Sequence, residues 1–240
     1  MKRPFRIIVL GEGKDERGKP RTIPPLQAVS HSQQGAMEIL VRRALYPLLN
    51  DGQPWHRGLA NNDGIQVLQP PAQRLPRALG MVAVLADPNA LAPLISAAIR
   101  PVRGTAPADL LIATHDGEDA DVTLRAIGVV NSSLGAYVPL LRPMPEIQAW
   151  LAYKRAIEQV YGREHCTVPE PDEAALKRDA KAELQRLLKT FGGRFDAARQ
   201  AQLAEYVSLE DLTRFEWAGW NEAGEELKAA HAAELLHRGQ

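Results

Sequence analysis

Four short apolar segments of the chain have the length and composition of buried strands. Residues with branched or apolar side chains bounded by Gly, Pro or Asp are typical of strands. The predicted strands are 5–10, 65–68, 109–114 and 136–141. The first and third are apolar almost throughout, which indicates strands that are covered on both faces of a sheet.

Segments with helical periodicity separate these strands. The predicted helices in the first two thirds of the chain are 35–49, 88–100, 122–130 and 145–161. Strands that alternate with helices imply right-handed crossovers and a mainly parallel sheet. The sequence therefore predicts an α/β fold with a four-stranded, mainly parallel sheet flanked by helices.

The pattern becomes entirely helical after Pro169. The predicted helices there are 173–191, 196–206, 209–215 and 222–237. The stretch 164–171 is the best candidate for a linker, because it contains prolines and no periodic apolar pattern. We therefore expect an α/β domain over 1–163 and a C-terminal helical extension over 164–240.

The composition narrows the class of protein. The chain has 240 residues, of which 45% are hydrophobic and 24% charged, which is enough apolar material for a core. Its one cysteine, Cys166, excludes a disulfide framework and cannot form a zinc site alone. No apolar run approaches the length of a membrane span, and the first residues do not resemble a signal peptide. We therefore expect a cytoplasmic protein that does not bind a membrane.

The net charge of zero conceals an asymmetry along the chain. Residues 1–105 contain 14 Lys and Arg against 7 Asp and Glu, whereas the remainder contains 15 against 22. Such asymmetry indicates a surface that faces a polyanion and an acidic part elsewhere. Scattered arginines on a solvated surface are the alternative explanation.

A Gly-Glu-Gly motif follows the first predicted strand. Gly13 and Gly18-Lys19 have the spacing of a P-loop, but Pro20 stands where that motif requires Ser or Thr, so we reject a nucleotide-binding loop. Glu12 itself is the better candidate, because the carboxyl ends of parallel strands are where α/β sheets bind ligands. The alternative is an acidic turn residue without a role.

A cluster of carboxylates follows the third predicted strand. Asp116, Glu118, Asp119 and Asp121 fall within six residues and would repel one another unless solvated or neutralised by a cation. Hard divalent ions such as Mg²⁺ take oxygen ligands of this kind. Alternatively, the last three could complement the dipole of the following helix.

The segment Met144-Pro145-Glu146-Ile-Gln-Ala-Trp-Leu follows the fourth predicted strand. Proline at a first helical position with an acidic neighbour is a normal helix start. A helix start accounts for the residues of this segment, but it assigns no specific role to Glu146.

Taken together, these motifs resemble the TOPRIM domain, the metal-binding fold of topoisomerases, primases and OLD-type nucleases. A strand ending in Glu-Gly, a later strand ending in an Asp-x-Asp-like element, and Pro-Glu-Ile-x-Ala-Trp-Leu are similar to the TOPRIM-like proteins of bacterial defence and mobile loci. Those proteins are often encoded beside an ABC- or SMC-like ATPase. The resemblance extends into the helical part and covers most of the chain.

The resemblance implies a site and an activity. Glu12, Asp116 and Glu118 would bind Mg²⁺ or Mn²⁺, and Glu12 and Glu146 would act in catalysis. The implied activity is metal-dependent cleavage of DNA or RNA in an anti-phage or mobile-element system. The basic residues Lys14, Arg17, Lys19 and Arg21 beside Glu12 would contact the phosphate backbone.

The departures from the pattern keep a second hypothesis open. Glu118 replaces an expected Asp, and Gln148 stands where relatives often carry an acid. The alternative is therefore a non-catalytic TOPRIM-fold subunit that docks onto a partner ATPase and regulates it. A homo-oligomer is also compatible with the resemblance.

Overall fold

The computed structural model describes residues 3–11, 24–60, 62–71, 81–100, 107–117, 120–161, 168–191, 193 and 195–238. The strands are β1 (Phe5–Leu10), β2 (Ile65–Val67), β3 (Leu110–Thr114) and β4 (Leu140–Leu141). The helices before residue 162 are α1 (Ala36–Leu49), α2 (Met81–Ala86), α3 (Pro88–Ile99), α4 (Ala120–Leu134), α5 (Gln148–Leu151) and α6 (Lys154–Tyr161). The later helices are α7 (Glu173–Lys189), α8 (Ala197–Tyr206) and α9 (Trp220–Arg238). Among these helices, none is both long and apolar enough to cross a membrane.

The four strands form one parallel sheet in the order β2-β1-β3-β4. Ile7 of β1 pairs with Val67 on one side and with Leu110 on the other, and Leu141 of β4 pairs with Thr114. The predicted fold class, an α/β fold with a four-stranded parallel sheet flanked by helices, is confirmed.

Helices cover both faces of the sheet because the central strands are apolar on both faces. Ile7 and Val9 of β1 belong to a core shared with α1 and with α5 to α9, whereas Ile8 and Leu10 pack with α2, α3 and α4. All four side chains are fully buried. A strand without polar alternation needs an apolar layer on each side, so these residues require the three-layer arrangement.

The fourth strand is shorter than predicted. Only Leu140 and Leu141 pair with β3, whereas the predicted segment began at 136. Pro139 has no N–H for a sheet hydrogen bond, and the Val138 N–H bonds to the Asn131 side chain at 3.1 Å instead. The apolar pattern identified the strand, and local hydrogen bonding decided where it begins.

Three helices also differ from the prediction. The segment 145–161 divides into α5 and α6 around Ala152 and Tyr153, and α4 extends beyond the predicted 122–130. Gly135, with a φ of 62°, follows the last residue of α4 in the left-handed conformation typical of helix ends. Helix α2 was not predicted.

The C-terminal helices share a core with the sheet. Leu184 of α7, Leu203 of α8 and Leu227 of α9 belong to the same buried cluster as β1 and β3. The predicted boundary at 163/164 falls on residues 162–167, which lie outside the described residues, so the division into two domains stays a prediction. The helical segment as described is packed against the α/β part.

A polar network ties α8 to the segments around α1. Arg42 donates to Asp63 with 2.8 Å between Nη2 and Oδ1, and its Nη1 lies 3.2 Å from Nδ1 of His31. His31 Nε2 lies 2.9 Å from a carboxylate oxygen of Glu205, and Arg57 pairs with the other oxygen at 2.8 Å. A continuous chain of charged and polar groups therefore joins α1 to α8.

Loss of Arg42 will leave the buried carboxylate of Asp63 without its cation. We expect Arg42→Met to lower the free energy of unfolding by about 3 to 5 kcal/mol, measured by urea denaturation. Arg42→Met with Asp63→Asn should recover part of that loss, because the uncompensated charge is gone. The exposed Arg178→Met serves as the control. An Arg42→Met variant as stable as this control would contradict the prediction.

The environment of Glu205 predicts a dependence of stability on pH. Burial alone would raise the pKa of Glu205, but the hydrogen bond from His31 and the charge of Arg57 outweigh it, so the pKa lies below its usual range. A lowered carboxyl pKa stabilises the fold above the unfolded-state pKa of about 4.3 and stops doing so as the pH falls through the folded-state pKa.

We therefore expect the free energy of unfolding to fall less steeply below about pH 5 in Glu205→Gln than in wild type. The measurement is urea denaturation across a pH series. Glu210→Gln, at an exposed position near the end of α8, should keep the wild-type slope. If the free energy of unfolding falls equally steeply with decreasing pH in wild type and in Glu205→Gln, Glu205 does not contribute to the pH dependence of stability.

Candidate functional site

The strand order creates a crevice between the ends of β1 and β3. The chain leaves β1 towards β2 on one side, and β3 lies on the other side of β1. Open α/β sheets bind ligands at such a switch point, outside the carboxyl ends of the strands. We call the end of the sheet where the strands finish the carboxyl edge.

The two central strands are in register at this edge. Leu10 pairs with Ala113, and the hydroxyl of Thr114 donates to the Leu10 carbonyl at 3.4 Å. Gly11 and His115 are the next residues of the two strands. The motifs that the sequence singled out after β1 and β3 therefore begin at neighbouring positions of one edge.

Asp116 lies at this edge and is partly buried. His115 beside it is 5% exposed; its N–H bonds to the Leu141 carbonyl at 3.1 Å, and its Nδ1 lies 2.9 Å from the Asp116 carbonyl oxygen. The backbone of Asp116 thus contacts the buried side chain of His115, whose own backbone is bonded to β4.

The turn after Asp116 packs against the segment that follows β4. Gly117 has a φ of 70°, its N–H bonds to the Pro143 carbonyl at 3.3 Å, and a Cβ there would lie 3.1 Å from the Pro145 carbonyl oxygen. The Met144–Pro145 peptide bond is cis. Residues 142–146, the post-β4 segment, therefore lie directly beside the Asp116 turn.

Glu146, at the end of the post-β4 segment, contacts helix α7. Its Oε1 accepts a hydrogen bond of 3.2 Å from the N–H of Lys181. This N–H is exposed by an interruption of the helix at Asp179, whose φ of −161° and ψ of 87° are not helical and whose carboxylate accepts from Ala182 N–H at 2.8 Å. Carboxylates are favourable at such helix starts. The described bond of Glu146 is therefore a capping bond to α7.

A second contact fixes the post-β4 segment from the other side. The Met144 N–H bonds to the Ala218 carbonyl at 3.2 Å, and the indole of the fully buried Trp150 donates to the same carbonyl at 2.5 Å. Trp150 also packs edge to face on Trp220, with 4.9 Å between ring centroids. Gly219, between these residues, has a φ of 78° and touches the Arg142 carbonyl.

Arg142 is a residue of this edge that the sequence analysis did not single out. It follows β4 directly, its side chain is 45% exposed, and its Nη1 lies 3.8 Å from a carboxylate oxygen of Asp121 in the first turn of α4. No short motif marks it. The only feature of the sequence that could have drawn attention to Arg142 was its place, as a basic residue, one position after a predicted strand.

The predicted site residues divide into two groups. Asp116 and Glu146 lie on adjacent segments of the carboxyl edge. The others lie outside the described residues: Glu12, Glu118, Lys14, Arg17, Lys19 and Arg21. Within the described part of the chain, no group of three or more His, Cys, Asp or Glu side chains is arranged to hold a metal ion. The metal site and the basic loop therefore stay predictions.

Comparison with known proteins identified no relative of this chain. No protein-family model, no curated protein and no solved structure matches the chain. The resemblance to TOPRIM proteins thus rests on the sequence motifs.

Gly219 is expected to be essential for the position of the post-β4 segment. Gly219→Ala adds a Cβ that collides with the Arg142 carbonyl and occupies a left-handed conformation, so we expect a loss of about 1 to 3 kcal/mol in the free energy of unfolding. Gly128→Ala is the control, because that helical glycine has open space around it and should become no less stable. Equal stabilities of the two variants would contradict the close approach at Gly219.

Proposed function

We propose that this chain is a TOPRIM-like protein that hydrolyses phosphodiester bonds of DNA or RNA with a divalent metal at the carboxyl edge of β1 and β3. The observation that carries the proposal is the alignment at the switch point. Leu10 pairs with Ala113, so the segments beginning at Gly11 and His115 leave neighbouring strands at the same edge. Glu12 and Asp116, the first two acids of the TOPRIM pattern, are the next residue of each segment.

The side chains available there suit Mg²⁺ or Mn²⁺. Magnesium is commonly bound by one or two carboxylates together with waters and phosphate oxygens. Asp116 is proposed to supply one carboxylate, from a turn whose Gly117 N–H is bonded to the post-β4 segment. Glu12 and Glu118 are proposed to supply the others.

The reaction adds one water across a phosphate ester. The water oxygen bonds to phosphorus as the bond between phosphorus and the ester oxygen breaks, and one proton passes from the water to a carboxylate. The leaving oxygen takes a proton from solvent, and the carboxylate returns its proton to solvent. A bound divalent ion supplies charge neutralisation at the phosphate. Glu12 is proposed as the carboxylate that takes the proton. Lys14, Arg17, Lys19 and Arg21 are proposed to hold the flanking backbone.

The contact of Glu146 favours a positioning role for this residue over proton transfer. Its hydrogen bond to Lys181 N–H joins the post-β4 segment to α7, and that segment supports the Asp116 turn. Glutamine can accept the same hydrogen bond, whereas it cannot accept a proton or carry charge. Glu146→Gln therefore separates the two roles.

The second candidate function is a non-catalytic subunit that binds an ABC- or SMC-like ATPase. One observation favours it: the acidic excess after residue 105, which offers a surface for a partner protein. In this case the TOPRIM fold would serve as a scaffold. Either function is proposed for an anti-phage or mobile-element system, as the resemblance implies.

A cleavage assay tests the proposal. Supercoiled plasmid and single-stranded RNA are incubated with the purified protein in Mg²⁺ or Mn²⁺, with and without EDTA. We expect metal-dependent cleavage by wild type and a loss of at least about 100-fold in rate for Glu12→Gln and for Asp116→Asn. Glu146→Gln should keep most of the rate.

The controls decide between the two functions. Glu210→Gln, at an exposed position outside the predicted set of site residues, should cleave at the wild-type rate. Cleavage that persists in Asp116→Asn would show that the activity does not depend on the proposed site and would contradict the proposal. If wild type cleaves neither substrate but changes the ATP turnover of an ABC- or SMC-like ATPase, should one be encoded beside it, and Asp116→Asn does the same, the docking subunit replaces the nuclease.

A further inference from the structure

Arg142 lies on the same edge of the sheet as the proposed catalytic residues. Leu141 pairs with Thr114, and the Leu141 carbonyl accepts the N–H of His115, so Arg142 leaves β4 beside the point where Asp116 follows β3. Its ion pair with Asp121 places the guanidinium at the start of α4, the helix that follows the Asp116 turn.

The backbone at Arg142 is held by two contacts with the segment Ala218-Gly219. Its carbonyl touches Gly219, where a side chain would collide with it, and two residues later Met144 N–H bonds to the Ala218 carbonyl. The side chain therefore extends from a rigid position at the end of a strand. A group that must meet a substrate at a defined place benefits from such a position.

The guanidinium of Arg142 is accessible and weakly paired. The side chain is 45% exposed, and the 3.8 Å separation from Asp121 exceeds hydrogen-bond length. The Asp121 side chain is 71% exposed, and an exposed pair of this kind contributes little to stability. An incoming anion can therefore replace Asp121 as the partner of the guanidinium at a small cost in free energy.

We propose that Arg142 binds a backbone phosphate of the nucleic acid at the carboxyl edge, with Asp121 as its partner in the free protein. This assignment rests on the proposed function and identifies a residue outside the family pattern. Guanidinium groups bind phosphate through two parallel hydrogen bonds, and the ammonium group of lysine binds it as a point charge. Asp121 competes with phosphate for the same donors.

Binding without cleavage provides the first test. The affinity of wild type for a short fluorescein-labelled DNA duplex and a labelled single-stranded RNA is measured by anisotropy in EDTA at several salt concentrations. We expect Arg142→Ala to bind about fivefold more weakly at low salt and to show a salt dependence smaller by about one phosphate contact. Arg142→Lys should recover part of the affinity.

The matched control is Arg100, which is exposed at the opposite end of the sheet. It follows α3 and lines a cavity with Asp109 and Leu110 at the start of β3. Arg100→Ala removes one positive charge as Arg142→Ala does, but should keep the wild-type affinity. Equal losses in both variants would attribute the effect to net charge and overturn the assignment.

Asp121 provides a second test, because removing a group that competes with phosphate should strengthen the binding of nucleic acid, whereas removing Arg142 should weaken it. We expect Asp121→Asn to tighten binding about twofold, and we expect the gain to disappear in Asp121→Asn with Arg142→Ala. A gain that persists in the double variant would show that Asp121 acts only through general repulsion of the backbone and would overturn the competition.

The failures of the two proposals are distinguishable. If wild type binds nucleic acid and Arg142→Ala weakens this binding, the phosphate contact is supported. If the same wild-type protein does not cleave in Mg²⁺, the nuclease proposal is overturned. If Arg142→Ala cleaves and binds as wild type does, the nuclease proposal is supported and the proposed role of Arg142 is overturned. Thermal unfolding of each variant confirms that it is folded, and wild type that binds neither probe overturns the assignment.

Discussion

The structure depends on the parallel pairing of β1 with β3, two strands that are buried on both faces. Parallel strands cannot be joined by a tight turn, so each connection must cross over the sheet, and the apolar faces draw the crossing helices onto them. The same pairing brings the ends of β1 and β3 together at the carboxyl edge. The constraint that builds the core therefore also places Gly11 and Asp116 on neighbouring strands.

The C-terminal helices contribute to this edge as well as to the core. Glu146 caps the restarted part of α7, and the Ala218 carbonyl receives hydrogen bonds from both Met144 and Trp150. The post-β4 segment is thus held between the Asp116 turn and helices that lie far away in sequence.

The candidate site could be predicted only in part. Asp116 follows a buried strand, so its place at the carboxyl edge of a parallel sheet could be predicted; Glu12 lies outside the described residues, and its place there stays a prediction. Glu146 could be placed at the same edge because it follows the fourth strand, but its bond to Lys181 could not, since that N–H is exposed only by the interruption of α7 at Asp179. Arg142 belongs to no motif, and its surroundings, Gly219 and Asp121, were not predictable from the sequence.

By itself, the sequence determined the α/β class, the four strands and most of the helices, because hydrophobic periodicity reports how many faces of an element are buried. It also determined the chemistry at the strand ends, because residue type limits what a side chain can bind or donate. Only the tertiary structure decided the strand order, the length of β4, the break between α5 and α6 and the partners of Glu146 and Arg142. These features depend on contacts between segments that are distant along the chain, and a local pattern carries no information about such contacts.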